Sequence, residues 1–421
     1  MILAKLLPLP EFTSFKFSNY RFWWISSGAV MLNMFTTQMA MSWWVLNRTD
    51  SPEWVGVTIF SFGLPALLFT IPAGALADKV DKRKLLMGAQ FGALTLSLTF
   101  ALLALFESAN LALAIGFAFG LGTSNAFSQP PRQALIPLLV PRNLLMNGVV
   151  LGNLSQTSSQ LAGPAIAGLL MAAAGAEAAF LFLAALQFVG LISLTFMKIP
   201  NTTSSESGGI SGNLTPDKTP SVFRNLMGGL IFIWQNKPFL VLLILYTAVG
   251  FWVGGAISAL VPILIRDVFA MGPSALGFAF SLQAATGLIT GLYLTKLGRM
   301  KNKGGFFAMS VMLGSTSLAS YSMAPSYPVA LIFFATFGIA SSFYVNMSQT
   351  LVQVHTPQHL MGRVLSIFAV FSQGFTPMGA LQAGLVAGLI GVRFSAVYGA
   401  LICLTMATLA LLFAHSFRKL Q

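Results

Sequence analysis

The densest run of groups able to make and break ion pairs in this chain is Gly74-Ala-Leu-Ala-Asp78-Lys79-Val-Asp81-Lys82-Arg83-Lys84, two carboxylates among four cations. Such pairs reorganise without breaking covalent bonds, so their chemistry is that of a switch. A second set is uncharged. Asn33, Gln38, Gln156, Gln160, Gln283 and Gln373 each stand in an apolar stretch. A primary amide both donates and accepts hydrogen bonds, so these residues can hold an amphipathic solute or tie two helices together. His355 and His359 have the spacing of a metal pair, but Pro357 lies between them and no third His or carboxylate is near, so no metal site is assigned. There is no phosphate-binding glycine loop with its lysine, no nucleophile elbow and no pair of carboxylates within an apolar stretch. No catalytic residue and no cofactor are therefore assigned, and the chain does not read as an enzyme.

What must position these groups is an apolar scaffold. Of the 421 residues 56% are hydrophobic and 8% charged, the mean hydropathy is +0.80, and there are 37 Phe; a soluble domain is excluded. Twelve stretches reach the roughly 20 residues needed to cross a bilayer core of about 30 Å. They lie near 22–47, 54–77, 84–106, 111–131, 144–172, 177–197, 239–265, 273–296, 303–323, 327–350, 361–388 and 394–415. Twenty of the 23 Lys and Arg residues fall in alternate gaps between them, and only Arg48, Arg266 and Arg393 fall in the others. Placing that excess inside predicts a multi-pass cell-membrane protein with both termini cytoplasmic. The net charge of +13 is thereby explained at the lipid surface, and a nucleic-acid partner is excluded. The N-terminal residues lack the pattern of a removable signal peptide, and the single Cys403 allows no internal disulfide. Every one of the ten carboxylates maps to a gap or span rim and none to a midplane, where membrane proton carriers usually sit.

Residues 199–222 are polar and of low complexity, and they divide the spans six and six. The predicted organisation is a first bundle over 1–198, a cytoplasmic linker over 199–238 and a second bundle over 239–421. Within the linker, Phe223, Leu226, Leu230, Ile233 and Trp234 recur at helical spacing, which predicts an interfacial helix. Asn201-Thr-Thr and Asn213-Leu-Thr match glycosylation acceptors but fall on the inner side. The halves are copies. A shift of 216 pairs Leu144 with Leu360, Gly163 with Gly379, Gly168 with Gly384 and Gly175 with Gly391; a shift of 217 pairs Asn19 with Asn236, Phe22 with Phe239 and Gly74 with Gly291.

Gly74 to Lys84 resembles the loop 2–3 signature of the major facilitator superfamily, with Asp81 where a glycine is usual. Gly163-Pro164-Ala-Ile-Ala167-Gly168 is similar to the superfamily's antiporter segment. Phe127-Ser-Gln-Pro130-Pro131-Arg132-Gln-Ala-Leu-Ile-Pro137 and the later Pro357 to Val364 resemble a bacterial exporter group that includes the enterobactin exporter and macrolide efflux proteins. That resemblance implies an all-α fold of twelve transmembrane helices in two pseudo-symmetric six-helix bundles, working by alternating access in a bacterial inner membrane, for which a monomer suffices. It implies a conformational latch of Gly74, Asp78, Lys82, Arg83, Arg132, Gly362 and Arg363, and helix packing through Gly163, Pro164 and Gly168. A cavity lined by spans 1, 5, 8 and 11 would offer Asn33, Gln38, Gln156, Gln160, Gln283 and Gln373, with Trp252 beside them, to a small amphipathic substrate such as a siderophore-like metabolite or a macrolide-like drug. Proton antiport is implied as well. The residues themselves leave open a gradient-driven facilitator, a lipid flippase, or a receptor or assembly factor that does not transport.

Overall fold

The computed structural model describes residues 12–198, 222–294 and 302–418, with all their side chains except those of Ile71, Asp78, 222–227, His359, Ser372, Gln373, His415 and Ser416. Most of the predicted linker, the loop holding Lys296 and Arg299, and the latch carboxylate of Asp78 lie outside the described residues. So do the amide of Gln373, the ring of His359 and the side chains of Phe223 and Leu226. Twelve helices carry the fold: α1 (Ser18–Thr49), α2 (Pro52–Lys79), α3 (Lys82–Leu105), α4 (Leu111–Leu139), α5 (Leu145–Phe196), α6 (Val222–Gln235), α7 (Lys237–Val268), α8 (Pro273–Leu294), α9 (Lys303–Met323), α10 (Tyr327–His355), α11 (Met361–Ile390) and α12 (Val392–Phe413). No strand forms among the described residues. Among the described residues nine helices are long and apolar enough to cross a membrane. α1 and α9 have the length, 32 and 21 residues, with more polar sequences, and α6 is a short helix of 14 residues at the place where the sequence predicts an interfacial one.

α5 is two crossings in one. Its 52 residues are broken at Ala174 and Gly175, where Gly175 has φ 81° and ψ 173°, a backbone region that costs any other residue a clash at Cβ. Gly391, between α11 and α12, has φ 85° and ψ 156°. The two glycines paired by the sequence repeat thus make the same loop-free reversal. Leu144 and Leu360, also paired, each have φ −106° and a ψ within a few degrees of zero, and each ends a short 3-10 turn that opens α5 or α11.

Predicted and observed helix ends differ by a few residues except at α4, which runs to Leu139 instead of stopping near 131, and α10, which runs to His355 instead of 350. Pro130, Pro131 and Pro137 lie inside α4. Each removes a single backbone donor, a loss that a helix tolerates when its neighbouring turns are packed. Here the Trp23 indole of α1 donates to the Arg132 carbonyl at 3.1 Å and pins that segment to the bundle.

The halves meet along three seams at the face carrying Asp50 and Asp267. In the first, α2 lies on α11: Gly56 abuts the Ala380 backbone, Gly384 abuts Pro52 and Gly56, Gly63 abuts Pro377, and Gly374 abuts Leu67. In the second, α5 lies on α8, with Gly168 against Pro273 and Gly277, Gly277 against Pro164, and the Ser281 hydroxyl donating to the Leu161 carbonyl at 2.8 Å. The absence of Cβ atoms is what lets these backbones touch. The third seam is polar. Arg266 of α7 donates to the Leu46 carbonyl at the end of α1 at 2.7 Å and pairs with Asp50 at 2.9 Å. Towards the opposite, lysine-rich face no described atom lies within 4 Å of where a Cβ on Gly74 or Gly362 would be.

Candidate functional site

Where the seams end, a cavity of about 120 Å³ opens between the halves, lined by Phe35, Gln38, Met39 and Ser42 of α1, Gln160 and Pro164 of α5, Ser258 and Pro262 of α7, and Phe280 and Gln283 of α8. Three of the six amides picked out in the sequence meet here. Gln38 donates to the Ser258 hydroxyl across the boundary at a long 3.4 Å. That hydroxyl in turn donates to the Gly254 carbonyl at 3.0 Å. The side-chain amides of Gln160 and Gln283 make no hydrogen bond to a described residue, and Gln160 is exposed to the cavity. The lining is aromatic, thioether and proline surface with neutral polar groups and carries no charge. Such a surface accepts large apolar bodies and fixes them by a few hydrogen bonds.

The other predicted cavity residues stand elsewhere. Gln156 lies one turn from Gln160 towards the lysine-rich face and is exposed. Asn33 is 3% exposed and turned into the first half, where its amide donates to the Leu183 carbonyl at 2.9 Å. Trp252 packs edge-on against Tyr398 of α12, ring centres 5.4 Å apart, on the far side of α7 from the cavity. Sequence reasoning missed Ser258, which sits one helical turn beyond Gly254 on the cavity face of α7. It also missed the buried Gln90 and Gln187 and the half-buried Asn125 inside the first half. Gln90 donates to the Ser26 hydroxyl at 2.9 Å. Their signal was present as amides recurring in spans 3, 4 and 6.

At the lysine-rich face the predicted latch residues take several roles. Asp81 caps α3, its carboxylate accepting from the backbone amides of Arg83 at 2.8 Å and Lys84 at 3.0 Å. This explains an acid where the signature has glycine, because a carboxylate at a helix start meets free N–H groups and the positive dipole end. Arg83 donates to the carbonyls of Leu194 at 2.9 Å and Thr195 at 2.6 Å, closing the end of α5. Lys82 is half-buried in the first turn of α3. Arg132 is 4% exposed, and its Nε and Nη2 make no hydrogen bond. Arg363 lies against α6, where Gly228 and Gly229 leave room for it. Gly163 packs on Phe35 and Thr36 of α1, and its copy Gly379 packs on Phe251 of α7.

Helical halves related by an internal repeat, with a cavity between them, are the arrangement of transporters of the major facilitator superfamily. A family model described as transmembrane secretion effector matches residues 10–420, and the chain belongs to that family. It is 23% identical over 387 residues to macrolide efflux protein A of Streptococcus pyogenes, covering 91% of this chain and 93% of the relative. To the staphyloferrin A transporter of Staphylococcus aureus it is 24% identical, with 92% and 94% covered, and to the enterobactin exporter EntS of Escherichia coli O81 it is 24% identical, with 88% and 86% covered. Among solved structures, an inward-facing, occupied bacterial homologue of the human lysosomal transporter Spinster has a TM-score of 0.73 at 14% identity, covering 94% of this chain and 96% of the other. The family and these relatives are transporters of many spans, so the chain is a multi-span membrane protein of that kind.

Proposed function

We propose that the chain is a secondary exporter that moves an amphipathic organic compound, siderophore-like or macrolide-like, out of a bacterial cell by alternating access. The observation that carries this reading is the uncharged cavity between the halves, where Gln38, Gln160 and Gln283 face apolar surface. The names of the efflux relatives support the solute class. The lysine-rich face is read as cytoplasmic from the charge asymmetry, so that both termini and the linker lie inside. The closed seams at the Asp50 face then correspond to an inward-facing state. The bundles 1–198 and 239–421 act as the two moving bodies about the linker 199–238, and one chain suffices.

A second reading has its own observation. No carboxylate lines the cavity, and a proton-coupled carrier usually needs one; this favours movement down the solute gradient alone. Uptake of a fluorescent amphipathic dye into inverted proteoliposomes separates the two. Proton-linked export gives uptake that follows an imposed pH gradient, whereas indifference to the gradient selects the facilitator, and dye binding without flux sinks both. In the same vesicles Gln160→Leu and Gln283→Leu raise the apparent KM about fivefold, the scale of one hydrogen bond. Asn33→Ala and Trp252→Leu lower thermal stability and leave KM in place.

A further inference from the structure

A larger cavity lies away from the one between the halves. It is a groove of about 570 Å³ between α7 and α12, walled by Val241, Ile244 and Leu409 with Phe413 at its rim, and Lys237 stands at its mouth. Ile244, Leu409 and Phe413 are exposed along it. The groove narrows where the helices converge, at the Cys403 thiol donating to the Ala248 carbonyl at 3.3 Å. Its inner end is floored by Phe417 of the short C-terminal turn His415–Arg418, buried against Gly304 of α9.

Two features make this a site and not a mere gap between helices. First, from Ala248 to Lys237 the helix rises about 16 Å, close to half of a bilayer core of about 30 Å. On the reading above that the lysine-rich face is cytoplasmic, the groove therefore has the length of the inner leaflet and its cation stands at headgroup depth. Second, that cation has no counter-ion among the described residues. Residues 222–418 contain a single carboxylate, Asp267, which sits at the opposite face beside Arg266, and Lys237 makes no hydrogen bond or ion pair to a described residue. The copy of this place in the first half is shut. Asn19 donates to the Lys198 carbonyl at 2.6 Å and accepts from the Lys198 amide at 3.0 Å, and the Ser193 hydroxyl donates to the Phe22 carbonyl at 2.7 Å, zipping α1 to the end of α5. Asn236, the repeat partner of Asn19, instead donates to Phe232 of α6 at 2.7 Å, so among the described residues no comparable tie joins the inner ends of α12 and α7.

We propose that the groove between α7 and α12 is a binding site for an anionic phospholipid of the inner leaflet, with its acyl chain against Val241, Ile244 and Leu409 and its phosphate at Lys237. An aliphatic chain matches the wall and the leaflet-long depth, and the uncompensated lysine selects a head of net negative charge over a zwitterion.

Native mass spectrometry of the detergent-purified full chain, offered phosphatidylglycerol and phosphatidylcholine with the same acyl chains, tests this. Wild type retains phosphatidylglycerol about fivefold better, the scale of one lysine beside an anionic head. Lys237→Gln brings the ratio near one, while Lys198→Gln, at the zipped copy, leaves it unchanged. Ala410→Trp, which fills the groove, reduces retention of both lipids, and Leu409→Trp on the exposed wall gives the same readout should Ala410→Trp fail to fold. A wild-type ratio near one overturns the proposal. So does a preference that survives Lys237→Gln, an equal loss in Lys198→Gln, or a two-copy species that the groove-filling variant abolishes, which would make the groove a protein interface.

Discussion

The two halves share a plan and differ in how they close it. Gly175 and Gly391 make the same reversal, Leu144 and Leu360 the same turn, and Gly163 and Gly379 the same close approach within each bundle. Yet the first half is tied by amides: Asn33 to Leu183, Gln90 to Ser26 and Asn19 to Lys198. The second has no amide tie between its helices among the described residues and relies on rings, with Tyr344 stacked on Tyr246 at 5.2 Å and on Phe307 at 5.4 Å, a device the first half also has in Phe100 stacked on Phe117 at 4.5 Å. What survives duplication is the backbone conformation that no alternative residue can adopt cheaply. What drifts is the choice of side-chain glue, because hydrogen bonds and ring packing stabilise a helix bundle to a similar degree.

Five substitutions, two of them as matched pairs, would sharpen or break this comparison. The largest effect is expected at the shared reversals: Gly175→Val and Gly391→Val each cost about 1–3 kcal/mol of backbone strain, read as a loss of folded protein and a lower thermal midpoint in detergent. Similar losses support equivalent roles, and a silent variant in one half breaks the equivalence. Next, Asn19→Ala removes both bridging bonds and lowers stability by about 1–2 kcal/mol, whereas Asn236→Ala removes one local bond and costs about 0.5 kcal/mol. Equal costs would deny that the first half alone is zipped. The smallest effect is at the clasp across the halves. Asp50→Asn leaves Arg266 its carbonyl partner but weakens an exposed pair worth about 0.5 kcal/mol; a cysteine reporter at the Asp50 face should label about twofold faster, and an unchanged rate would remove the clasp from the gating scheme.

Much of the scaffold was legible from the sequence because a membrane imposes length. The spans follow from apolar runs, and the repeat follows from glycines whose positions the backbone dictates. The overrun of α4 was hidden by its prolines, which read as stops although they lie inside the helix. The cavity was half legible. Spacing along one helix identifies a polar residue but not the rotation of that helix against its neighbours. Gln38, Gln160 and Gln283 therefore converge, while Asn33 faces its own bundle and Trp252 faces Tyr398. Asp81 stands where the signature has glycine, and its capping role follows from the helix that begins at Lys82.

The loop-free reversals at Gly175 and Gly391 have an outcome for anything that meets the molecule from that side. α1 passes to α2 through Asp50 and Ser51 alone, and the longest connection on that face is 106–110. Proteases, antibodies and other large binders grip flexible, protruding peptide; here they find almost none, so that face offers few handles for either cleavage or recognition.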